Sequence, residues 1–233
     1  MMRSCLATLL VALPLNAAAS ELPAFPSPDS DLFWDCTDRM SYEGFCNDAR
    51  LVETPEDPRT IAITMYAIVD KDRFTPESAL AVYTDFTGWG TYADRAVEAD
   101  SKRRGMIEIK EARINIAEEN YWQNYTHFTI PVAAGVRQTI KVTAENHLLA
   151  PRADGHLTLD YSAAGKGVNF HTGSVYTSAC YPDLVDEGLC DDSTQMMLVY
   201  TAQISPSITI ARGTAMSRIS DALETLLYGM FLL

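Results

Sequence analysis

The sequence predicts an α+β fold in which an antiparallel sheet of about seven strands packs on one long C-terminal helix, with two short helices after the first strand. Three observations carry that prediction. From Val136 to Leu148 the chain alternates: Val136, Gln138, Ile140, Val142, Ala144 and Leu148 share one face, and Arg137, Thr139, Lys141, Thr143, Glu145 and His147 share the other. One side is buried and one is wet, which marks an antiparallel sheet. Near the C-terminus the period changes to three and four: Met216, Ile219, Leu223, Leu226, Leu227 and Met230 form a stripe, with Arg218, Asp221 and Glu224 off it. Between the first strand and the rest, Thr75-Pro-Glu-Ser78 supplies an N-cap hydroxyl, proline at the first helical position and early acidic charge.

The elements follow in order. Met1-Met-Arg3, an apolar run from Cys5 to Leu15 and small residues up to Ala19 read as a secretory signal spanning 1–19, too short to cross a bilayer. Residues 20–59 are rich in Pro, Asp and Glu and lack sustained periodicity, so they read as an extension, leaving 60–233 as the folded domain. A periplasmic or secreted location follows, and there the four cysteines beyond the signal are expected to pair. Cys36 to Cys46 and Cys180 to Cys190 enclose loops of equal length, and both loops end in Glu-Gly-apolar-Cys. Those two pairings are expected, although four cysteines allow three connectivities. Zinc is disfavoured because no close Cys pair or neighbouring His completes a tetrahedral site.

Thr60 to Val69 reads as the first strand, and a helix opens at Pro76 and runs to about Thr84. Asp85 is placed to cap a second short helix through Trp89 and Tyr92. The basic run Lys102-Arg-Arg104 reads as a solvated turn. Ile107 and Ile109, then Ile114 and Ile116 on shifted parity, predict a strand with a bulge near Glu111. Further strands are expected over Tyr121 to Ile130, around Leu157 to Tyr161, over Val168 to Ala179 and over Gln195 to Ile204, with Gly165-Lys-Gly167 as a turn and Ser207 to Ile210 as a short continuation of the last.

The passage VYTDFTGWGTYADR, with Thr84-Asp85-Phe86 followed by Trp89, resembles the START and Bet v 1-like superfamily, the helix-grip fold that includes polyketide cyclase and lipid-transfer branches. The resemblance covers about Thr60 to Leu232. It implies a curved sheet gripping the C-terminal helix, with an elongated apolar cavity between them and an opening near the short helices. Residues expected at that cavity are Tyr66, Phe86, Trp89, Tyr92, Gln138, Ile140, Val142, Tyr161, Ile219 and Leu223. Two readings of the aromatic turn stay open: Phe86, Trp89 and Tyr92 line the cavity mouth, or they form the core of a two-helix cap. Gln138 and Asn146, amides on an apolar face, point either into the cavity or out at a strand end.

No Gly-x-Ser-x-Gly, His-Glu-x-x-His, P-loop or dinucleotide fingerprint occurs, so no catalytic residue, metal or cofactor is expected. His127, His147, His156 and His171 fall in different strands or strand ends, and whether His127 meets His171 is open. A formal net charge of -13 argues against nucleic acid and anionic membranes as partners, and stable membrane insertion is not expected. Three functions remain. The leading one is an exported binding or carrier protein for a hydrophobic small molecule, lipid-, sterol- or polyketide-like. A cyclase or dehydratase requires a buried, perturbed ionisable group in the cavity. An extracytoplasmic protein-interaction module, meeting its partner through the extension, is favoured by a cavity below roughly 300 Å³.

Overall fold

The computed structural model describes residues 45–133, 135–207 and 210–231. The predicted signal, Cys36 and most of the predicted extension lie outside the described residues, as does part of the run Ser207 to Ile210. Eight strands form one curved antiparallel sheet: β1 (Phe45–Val52), β2 (Thr60–Asp70), β3 (Glu108–Glu118), β4 (Tyr121–Ala133), β5 (Val136–Leu148), β6 (Thr158–Lys166), β7 (Val168–Ser178) and β8 (Gln195–Pro206). Their spatial order is β1-β2-β8-β7-β6-β5-β4-β3, so β3 to β8 make a meander and β2 closes onto its last strand. Helices α1 (Pro76–Thr84) and α2 (Trp89–Ala99) lie between β2 and β3, α3 (Pro182–Asp186) between β7 and β8, and α4 (Arg212–Phe231) ends the described chain.

The eighth strand, β1, falls inside the segment whose periodicity was too weak to read. Its composition hides it, because Asn47 and Asp48 sit where an apolar residue would announce a strand. Asp48 is nevertheless buried, and the Asn47 amide donates to Ser220 Oγ at 2.6 Å and Glu224 Oε2 at 3.1 Å on α4.

The sheet is covered on both faces at one end. On the concave side Ile61, Ile63, Met65, Leu198, Tyr200, Ala215, Ile219, Leu226 and Phe231 join one core between strands and helices. On the convex side Tyr66, Ile68, Tyr176, Met197 and Val199 pack under α3 and the loop closed by the Cys180–Cys190 disulfide. Strands β2 and β8 therefore bury both faces, which explains their near-continuous apolar sequences. Cys46 joins this second cluster and is itself disulfide-bonded.

Helix α1 starts on a reciprocal capping box: Ser78 N donates to Thr75 Oγ1 at 3.2 Å, and Thr75 N donates to Ser78 Oγ at 2.8 Å. The turn after it is built by Asp85. Its Oδ1 accepts from Gly88 N at 3.1 Å and Thr87 Oγ1 at 3.1 Å, and its Oδ2 accepts from the Tyr92 hydroxyl at 3.0 Å. A single 3-10 turn, Phe86–Gly88, thus precedes α2 where one continuous short helix was expected.

The run Lys102-Arg-Arg104 is not a simple solvated turn. Arg103 is buried, donates to Glu224 Oε1 at 3.0 Å and places its guanidinium 4.1 Å from the centre of the Tyr228 ring. It ties the end of α2 to α4. Two register shifts interrupt the β3–β4 pairing, between Ile109 and Glu111 and between Ile114 and Ile116.

Candidate functional site

Between the concave face and α4 lies a partly enclosed cavity of about 80 Å³. Alternation places the side chains of β4 and β5 in it: Asn124, Thr126, Phe128 and Ile130 from one strand, Ile140, Val142, Ala144 and Asn146 from the next. Helix α4 closes it with Ile219, Leu223 and Leu226. Trp89, Ile109, Phe128 and Leu223 remain partly exposed and form its rim.

Seven of the residues expected from the sequence line this cavity: Phe86, Trp89, Ile140, Val142, Tyr161, Ile219 and Leu223. Three do not. Tyr66 points to the convex cluster, because β2 is apolar on both faces and alternation alone does not say which face meets the cavity. Tyr92 spends its hydroxyl on Asp85 and stabilises the turn. Gln138 lies at the start of β5 opposite Ile130, with its amide donating to the Thr139 carbonyl at 3.2 Å.

The aromatic turn reconciles its two readings. Phe86 is 1% exposed and meets Trp89 edge-to-face at 5.4 Å, as core aromatics do. Both rings also line the cavity, and the Trp89 indole donates to the Tyr83 carbonyl at 3.0 Å.

Polar groups interrupt the apolar lining in two places. The Asn146 amide donates to Asn124 Oδ1 at 2.8 Å and to the Trp122 carbonyl at 3.1 Å, and Asn124 donates to Thr126 Oγ1 at 3.1 Å. Asn146 is also the register partner of Tyr161 on β6, which leads to the second group. There the Tyr161 hydroxyl donates to the Thr201 carbonyl at 2.9 Å, and His171 Nε2 lies 2.7 Å from the Tyr200 hydroxyl and 3.1 Å from that of Tyr161. Burial pushes the His171 imidazole down to about 4, so the ring is neutral at pH 7. A neutral ring with its proton on Nδ1 accepts the Tyr200 proton at Nε2. Burial likewise raises Tyr161 and Tyr200 above the usual phenol range.

Sequence reasoning missed Tyr83, Asn124, Thr126, His171 and Tyr200. On β4 the signal was masked because the opposite face, with Gln123, Tyr125 and His127, is equally mixed. His127 stands on that convex face and does not meet His171, which shares the concave face with Gly173 and Val175. Among the described residues no group of three or more His, Cys, Asp or Glu is placed to hold a metal ion, and no helix is long and apolar enough to cross a membrane.

The depressed histidine makes a pH prediction. Between pH 6.5 and about 4 the unfolded chain binds a proton that the folded site refuses, so stability falls as pH drops through this window and is fully present above it. The step amounts to at most ~3 kcal/mol. Chemical denaturation of the wild type and of His171→Gln at pH 7 and pH 4.5 should show a smaller acid loss in the variant. Equal losses would refute the assignment.

No protein-family model and no curated protein matches the sequence. Solved structures do. The STAR-related lipid transfer protein of Xanthomonas axonopodis superposes with a TM-score of 0.55 at 13% identity, over 81% of this chain and 92% of that one. The human StarD13 (DLC2) lipid transfer and protein localization domain superposes with a TM-score of 0.50 at 9% identity, over 82% and 84%. These likenesses, with the curved eight-stranded sheet and the long C-terminal helix, show a START/Bet v 1-like helix-grip fold.

Proposed function

We propose that this protein is an exported binding or carrier protein that shelters a hydrophobic small molecule between its sheet and α4. The observation that carries the reading is the cavity, set behind an aromatic rim and lined mainly by aliphatic and aromatic side chains. Ligand sites of this kind are concave, largely apolar and furnished with a few convergent polar groups. The two proteins named above are a lipid transfer protein and a lipid transfer and protein localization domain, which agrees with this reading. Export rests on the N-terminal sequence pattern and agrees with the Cys180–Cys190 disulfide, which an oxidising compartment maintains. The acidic net charge argues against nucleic acid as the cargo.

The volume bears on the mechanism. At about 80 Å³ the cavity is smaller than the roughly 300 Å³ of common ligand pockets, so loading requires the α1–α2 cap or α4 to move outward. The same small volume favours a second reading, an interaction module whose cavity is filled by side chains. A cyclase or dehydratase would use His171, the imidazole among the ionisable groups that line the cavity. With its imidazole held near 4 and facing two tyrosines, that group is a weak base at neutral pH.

Native mass spectrometry of protein purified from its own compartment separates these readings. A carrier shows a co-purifying small molecule and takes up the neutral fluorophore N-phenyl-1-naphthylamine. A protein with neither property is the module. Trp89→Ala should weaken fluorophore binding at least ~10-fold, because it removes the largest rim side chain, while the circular dichroism spectrum is retained. Unchanged affinity would remove Trp89 from the path.

A further inference from the structure

Resting on the carrier reading, we infer that the cavity selects an uncharged amphiphile, a hydrocarbon body bearing a hydroxyl or carbonyl oxygen, and that the Tyr83 hydroxyl anchors this oxygen. The lining contains no Lys, Arg, Asp or Glu. Its polar groups are phenols, amides, one threonine and one imidazole. A fatty carboxylate would leave water and meet no cation, whereas an alcohol or ketone loses far less on burial.

Most of the polar lining is committed to internal bonds. Asn146 donates to Asn124 and Asn124 to Thr126, Tyr161 serves the Thr201 carbonyl, and Tyr200 faces His171. Tyr83 differs. It is 5% exposed, lines the cavity and stands 6.4 Å from Tyr200 ring to ring, yet its hydroxyl makes no hydrogen bond among the described residues. The Tyr83 ring is held by Trp89 at 5.8 Å and Phe86 at 6.4 Å, and the hydroxyl it carries is the part left to serve a ligand. Covering that hydroxyl with hydrocarbon alone would be costly, and a ligand oxygen placed against it removes that cost. A pure hydrocarbon gains nothing from Tyr83, and an anion gains too little.

Isothermal titration calorimetry at pH 8 with octan-1-ol, octan-2-one and octanoate tests this on the intact exported chain. The alcohol and ketone should bind at least ~10-fold more tightly than octanoate, and Tyr83→Phe should weaken both neutral ligands about 5-fold without changing octanoate. Octanoate binding as tightly as the alcohol overturns the inference and leaves the carrier reading standing. Neutral ligands that bind Tyr83→Phe as they bind the wild type overturn the anchor. Failure of all three probes to bind overturns both the inference and the reading beneath it.

Discussion

Replacing Gly229 with alanine should lower the melting temperature by about 10 °C, a loss of about 3 kcal/mol or more for a chain of this size. Gly229 lies in α4 where that helix crosses α2. A Cβ built there would stand 1.9 Å from the Tyr92 carbonyl oxygen and 2.7 Å from its carbon, with Ala96 Cβ at 3.3 Å. The first two are backbone atoms, so the clash cannot be relieved by turning a flexible side chain. The helices must separate, and the buried contacts of Ala93 and Ala96 separate with them. Gly213, in the first turn of the same helix, is the control. Nothing lies within 4 Å of a Cβ built there. Gly213→Ala should be neutral or stabilise by up to ~1 kcal/mol, because alanine is the better helix former. Thermal unfolding of both variants decides the matter: a Gly229→Ala protein that melts with the wild type would mean that the crossing is looser than described.

The residues that made the fold legible are those with one wet face. Strand β5 announced itself because Arg137, Lys141 and Glu145 alternate with Ile140 and Val142, and α4 because Arg218 lies off the stripe of Ile219, Leu223 and Leu226. Where a second layer covers the sheet, alternation loses its meaning. Met65 and Tyr66 are equally buried, one on each face, and only the disulfide loop over Tyr66 tells them apart. The same limit hid β1 and Arg103. Their polar groups are buried against α4, and the partner of Arg103, Glu224, lies 121 residues away in sequence. The candidate site was legible mainly in its apolar part; of its polar groups Tyr161 was expected and Asn146 was singled out, while Tyr83, Asn124, Thr126, His171 and Tyr200 were not. Phe86, Ile140 and Ile219 were expected from the helix-grip resemblance, with periodicity placing Ile140 and Ile219 on the apolar faces of β5 and α4. Tyr200 and His171 lie 29 residues apart on neighbouring strands and are not register partners, so their contact is a tertiary one that periodicity cannot show.

Gly173→Ala should cost about 3 kcal/mol, and the loss should fall at the polar centre of the cavity. Gly173 sits in β7, opposite Tyr161 on β6 and Ala202 on β8. A Cβ there would meet the Thr201 carbonyl oxygen at 1.9 Å and the Tyr161 hydroxyl at 2.8 Å. The missing side chain is thus what lets the Tyr161 hydroxyl reach the Thr201 carbonyl across the intervening strand. Alanine forces one of two responses. Either β7 parts from β8, losing ladder hydrogen bonds, or Tyr161 swings away and leaves a buried carbonyl without its donor. A double-mutant cycle distinguishes them. Tyr161→Phe alone should cost ~1 kcal/mol, the usual worth of one buried hydrogen bond. Because the nearer collision is with backbone, adding Gly173→Ala to Tyr161→Phe should still cost ~2 kcal/mol or more. Full recovery in the double variant would place the collision on the hydroxyl alone and leave the β7–β8 spacing free to accept a methyl group. The expected result instead makes the strand spacing the fixed quantity, so that the positions of Tyr161, His171 and Tyr200, and with them the polar end of the cavity, depend on one absent methyl.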